Sequence, residues 1–95
     1  MKMDLAHSIP RLRGLPGSLP LEGAIRIEME EGVPILRASS FVQKRIETLL
    51  LKERASGLSP QEAEEFERYE EIDDYLSFLN RVVRNTFDVR QRSDN

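Results

Sequence analysis

The stretch from Ser59 to Phe87, SPQEAEEFERYEEIDDYLSFLNRVVRNTF, constrains this chain more than any other. Ser59 is a candidate N-cap, Pro60 takes the first helical position, and Glu62 stands three residues after the cap. Ser-x-x-Glu satisfies two orphan amide donors reciprocally, and proline at that position gives up no needed N–H. Phe66, Tyr69, Ile72, Leu76, Leu79 and Val83 recur at three and four residues, which places them on one helical face. Glu67, Glu70, Glu71 and Asp74 fall on the opposite face, and Arg81 and Arg84 come near the end, where cations suit the helix dipole. The pattern predicts a helix over 60–86, and the rest of the chain must be organised around it.

The chain is 95 residues long, enough for one domain with a modest core, so a partner or a second copy would add to its stability. It has no cysteine, which excludes disulfides and thiolate metal sites. No apolar run approaches the roughly 20 residues of a membrane span, and the N-terminus lacks the apolar region of a secretory signal; the expected location is cytoplasmic, with no membrane partner. The net charge of −3 is unevenly spread, since residues 61–80 set eight carboxylates against one arginine. That concentration argues against a nucleic-acid footprint, which needs a basic face, so nucleic acid would enter only indirectly. An acidic face can instead dock on a basic protein surface or simply be solvated.

The expected fold class is α+β, mainly α with a small β-hairpin: an extended N-terminal arm, the hairpin, then an antiparallel two-helix hairpin. The arm covers residues 1–22, with three of the five prolines and two glycines before Leu21. Leu5, Ile9, Leu12, Leu15, Leu19 and Leu21 make it more apolar than a plain tail, which suits an arm that folds against another chain. A single domain over 23–87 follows. In the hairpin, 24–38, Ile25, Ile27 and Met29 alternate with Arg26, Glu28 and Glu30, the period of a half-buried strand. Glu31-Gly32 supplies the turn, and Pro34 marks an edge position or the start of the second strand. A lone hairpin is marginal in water and must pack on the helices or be extended by another strand. The first helix spans 40–56, with Ser40 and Gln43 as its capping box and Gly57 as its left-handed C-terminal stop. Residues 88–95 read as a flexible tail.

Both helices carry more apolar surface than one stripe requires. Phe41 and Leu51 lie off the Val42–Leu50 face, and Tyr75, Phe78 and Val82 lie off the core face of the second helix. The expected partner-binding residues are therefore Tyr75, Phe78 and Val82, the acidic Glu67, Glu70, Glu71 and Asp74, and Leu12 and Leu15 of the arm. No catalytic, cofactor-binding or metal residues are expected and no cofactor is implied. Carboxylate pairs one turn apart abound, but no Glu-x-x-His motif accompanies them, the single histidine, His7, lies in the arm, and no phosphate-cradling glycine loop is present.

Two segments carry a family resemblance: GAIRIEMEEGVPILRAS at 23–39 and GLSPQEAEEFERYEEIDDYLSFLNRVVRN at 57–85. Together they resemble small, mostly uncharacterised bacterial proteins of cyanobacterial type, and the second is similar to the C-terminal helix of antitoxin-like proteins. The stretch that the two segments bracket, 23–85, is about two-thirds of the chain; the resemblance leaves out the arm and implies a protein-binding role without catalytic residues. The expected function is a non-enzymatic protein-binding module, antitoxin-like or an accessory subunit, whose partner is another protein (a nuclease toxin among them) or a homo-oligomer. The alternatives are a DNA-binding regulator of ribbon-helix-helix type, in which a strand pair enters the major groove, and a structural subunit of a larger assembly.

Overall fold

Two strands open the ordered body. In a computed structural model that describes residues 9–93, with side chains to Phe87, β1 (Ile25–Glu30) pairs antiparallel with β2 (Val33–Ala38). Leu5 and His7 lie outside the described residues. Glu31 and Gly32 connect the strands with φ of 53° and 80°. Positive φ at both central residues makes a type I′ turn, whose twist matches that of the strands, and glycine holds the second position without strain. The register runs from Glu30 opposite Val33 to Ile25 opposite Ala38.

Burial in this hairpin follows one strand rather than one alternating face. Val33 and Ile35 are buried, whereas Ile27 and Met29 are 66% and 64% exposed and Ile25 is 39% exposed. The alternation in β1 thus marks a real strand, but its apolar residues face solvent instead of the core. The reason is which strand meets the helices: β2 lies along the second helix, and Val33 and Ile35 share their sheet face with Glu30 and Glu28, not with Ile27 and Met29. Arg37 bridges Glu28 (2.5 Å) and Glu30 (2.6 Å) on that charged part of the hairpin.

Helix α1 spans Ser40–Ala55. Its N-cap is Ser39 rather than Ser40: the Ser39 hydroxyl accepts from the Val42 N–H at 3.3 Å. Gln43 is not the second half of a capping box, since its amide donates to the Ala38 carbonyl at 2.8 Å. At the other end Ser56 and Gly57 both donate to the Lys52 carbonyl, and Gly57 takes φ 87°, the left-handed stop expected of glycine. Helix α2 spans Pro60–Ser93. Its capping box forms as expected, with Glu62 N–H donating to the Ser59 hydroxyl at 3.1 Å and Ser59 N–H donating to the Glu62 carboxylate at 3.0 Å. The helix does not stop at 86. Its backbone continues through most of the stretch read as a flexible tail, so Arg81 and Arg84 sit well inside it rather than in its last turn.

Val42 and Leu49 of α1 meet Tyr69 and Ile72 of α2 in the core, with Ile46, Phe66, Leu76, Leu19, Ala24, Ala38 and Leu58 packed around them. The fold is thus α+β, a two-stranded hairpin followed by a helical hairpin. It is elongated, 56 × 29 × 25 Å, because α2 alone, at 34 residues, is about 51 Å long.

Asn80 ties the two halves together. Its side-chain amide accepts from Leu36 N–H at 2.8 Å and donates to the Leu36 carbonyl at 3.0 Å. A polar residue in an apolar stretch of helix therefore takes the place of another strand at Leu36, on the outer edge of β2.

Candidate functional site

Helix α2 presents its side chains in rows four residues apart, and the expected partner-binding residues divide between two of them. One row is Glu67, Glu71 and Tyr75. The other is Phe66, Glu70, Asp74, Phe78 and Val82.

The first row is largely taken by the chain's own arm. Arg13 bonds Glu67 and donates through Nε to Glu71 at 2.6 Å, while its backbone N–H donates to the same Glu71 carboxylate at 3.1 Å. Arg68 approaches Glu71 from the next turn, at 3.7 Å. Farther along, the Ser18 hydroxyl bonds Glu65 and lies 2.8 Å from the Tyr69 hydroxyl, which lets Tyr69 be buried with its polar tip satisfied. Pro16 is buried and Leu19 joins the core. The described part of the arm, which reads as a segment for another chain, thus docks on its own helix. Leu12 and Leu15 point away from that contact, 42% and 59% exposed.

Other carboxylates at this end of α2 are also engaged. Arg45 of α1 holds Glu65 in a bidentate pair at 2.7 and 2.8 Å, and Lys52 holds Glu62 at 2.6 Å. The pKa values record the contacts. The Lys52 bond, with help from the Ser59 backbone N–H, pulls the Glu62 carboxyl down to about 2. Arg45 lowers Glu65 and Arg13 lowers Glu71, and the guanidinium groups of both arginines are raised in turn.

The second row is open. Phe66, Glu70 and Asp74, with Tyr69, Asp73 and Ile46 of α1, line a groove of about 440 Å³ between the helices. Glu70, Asp73 and Asp74 have no ion-pair or hydrogen-bonding partner among the described residues. The row continues to Phe78, which meets Tyr75 edge-to-face with ring centroids 6.3 Å apart, and to Val82, 42% exposed. Phe78 is half-buried and lies about 160° around the helix from Asn80, away from the hairpin side. Among the described residues no group of three or more metal-ligating side chains is arranged to hold an ion.

Four residues of the groove stand outside the expected partner-binding set. Phe66 and Tyr69 fit the three-and-four spacing of the core face and do pack with the core, and Phe66 also stands four residues before Glu70. Asp73 and Ile46 join it only because α1 crosses α2 at that point. No protein-family model, curated protein or solved structure matches the chain.

Proposed function

We infer that this chain is a non-enzymatic protein-binding module whose binding surface is the groove between α1 and α2, lined by Phe66, Glu70, Asp73 and Asp74. The observation that carries this reading is the contrast between neighbouring carboxylates. Glu62, Glu65, Glu67 and Glu71 are matched by cations of the same chain, whereas Glu70, Asp73 and Asp74 flank an apolar groove and stay unmatched among the described residues. Acidic groups beside aromatic ones suit a partner segment with Lys or Arg next to an apolar side chain, which gains both charge complementarity and buried area. Under the antitoxin-like resemblance such a partner is a nuclease toxin, whose nucleic-acid-binding surface is necessarily basic. The ribbon-helix-helix alternative is less well supported, because Arg26 and Arg37 of the hairpin are both engaged by carboxylates instead of being free for phosphate.

The test is affinity capture from the native host at two salt concentrations, with wild type and with Glu70→Lys/Asp74→Lys. A basic protein held by wild type, released by salt and not captured by the charge-reversed variant supports the reading. A partner that both forms capture equally overturns the groove as its site.

A further inference from the structure

The second edge of the hairpin is open, and its chemistry specifies what closes it. Leu36 gives both its N–H and its C=O to Asn80, so these groups point away from β1. In an antiparallel ladder the residue opposite then also points its backbone groups outward. That residue is Ile27, and by the same parity Ile25 and Met29 present outward N–H and C=O groups along the free edge of β1. Among the described residues no hydrogen bond outside the ladder reaches them. These are also the three exposed apolar side chains of the strand. Bare donors and acceptors lined with Ile and Met form a template for another strand.

We propose that this edge pairs with the same edge of a second copy, antiparallel, about a two-fold axis through Ile27. The charges of the strand select that occupant and that register. With the axis at Ile27, Ile27 meets the partner's Ile27 and Ile25 meets the partner's Met29, on one face. On the other face Arg26 meets the partner's Glu28, and Glu28 meets the partner's Arg26, so that the Arg26–Glu28 pair of each strand, 3.1 Å within the chain, is extended across the axis. Moving the axis by one residue keeps the parity of the outward groups but pushes the outermost pairs beyond the strand, and it sets Arg26 against the partner's Arg26, or Glu28 against the partner's Glu28; like charges directly opposite are unfavourable. The product is a four-stranded sheet with β1 strands at its centre. None of its contacts involves the groove between α1 and α2.

Sedimentation of the full chain from micromolar to millimolar concentration tests the pairing. Wild type is expected to show a monomer–dimer equilibrium. Ile27→Lys, which places two ammonium groups on the axis, is expected to weaken it at least about tenfold. Ile27→Pro, which removes an N–H that the intrachain ladder does not use, is expected to weaken it as well. Circular dichroism should report a retained fold for both, and Met29→Lys serves if either fails to fold. Because the chain has no cysteine, Glu31→Cys can carry a single nitroxide label. The two labels should lie about 27 Å apart, against about 20 or 34 Å for an axis displaced by one residue. A wild type that stays monomeric overturns the proposal and leaves the edge to a strand of a different protein. A dimer untouched by all three substitutions, or a label distance outside the first value, overturns it too.

Discussion

β1 and β2 are both six residues long and each carries an isoleucine at its third position, yet Ile35 of β2 is 7% exposed and Ile27 of β1 is 66% exposed. Glu70 and Glu71 repeat the division inside α2. Glu71 takes three hydrogen-bonding or ionic contacts from Arg13 and Arg68, while its neighbour Glu70 faces the open groove. In both pairs the residues compared are of one type, isoleucine or glutamate. What differs is whether a third element arrives: β2 meets α2, and the arm crosses the Glu67–Glu71 row. The parts that no third element reaches are the parts left for other molecules.

Truncating one side chain on each strand puts that division to the test and should give the largest effect. Ile35→Ala is expected to destabilise by about 2–5 kcal/mol, as for a buried isoleucine. Ile27→Ala, measured where the chain is monomeric, should change stability by less than about 0.5 kcal/mol. Urea unfolding of the two variants reads both, and similar losses would dissolve the contrast. Asn80→Ala comes next. It strips the Leu36 N–H and C=O of their partner, a loss of about 1–3 kcal/mol, and hydrogen exchange at Leu36 should accelerate more than at Ile35. Arg13→Ser should act on position more than on stability: the backbone amide shifts of residues 9–18 move toward random-coil values while the melting temperature changes little. Unchanged arm shifts would mean that Pro16 and Leu19 hold the arm without the arginine.

Acid gives the gentlest probe. Glu62, Glu65 and Glu71 have folded pKa values below the ordinary 4.5. A depressed carboxyl stabilises the fold fully above its unfolded pKa and loses that contribution as pH falls through the folded value. The urea midpoint should therefore hold steady from neutrality to about pH 5 and decline toward pH 2, the folded value of Glu62. Glu62→Gln should flatten part of that decline.

Much of the fold is legible in the chain because it is written in local chemistry. Ser59 with Glu62, Gly57 after α1 and Gly32 in the turn each solve a problem within four residues of themselves, and each appears where expected. Ser39 and Ser40 illustrate the limit: either could cap α1, and the choice turns on a single hydroxyl contact with Val42. The orientation of the hairpin is hardly local. Period-two alternation in β1 announces a strand but not which of its faces meets the helices; the one local hint is that β2, VPILRA, is apolar nearly throughout, as a more buried strand is. At the candidate site, Glu70, Asp74, Phe78 and Val82 are legible as one row from their four-residue spacing. That Glu67 and Glu71 are spoken for is not, because Arg13 is more than fifty residues away. Asn80 did leave a signal, a lone amide between Leu79 and Val82–Val83, and such an interruption merits the question of what backbone it serves.

Asn80 has a consequence for how far assembly can proceed. A strand normally exposes two edges, and a sheet that adds copies through both grows without end, as fibrils do. Here one edge carries a terminator: the carboxamide supplies one donor and one acceptor to Leu36, the same pair a neighbouring strand would supply, but offers no further strand behind it. Each hairpin is therefore monofunctional in the polymer chemist's sense. Joined through their remaining edges, two such units consume each other's only reactive end, and the product is a finite, closed pair rather than a filament.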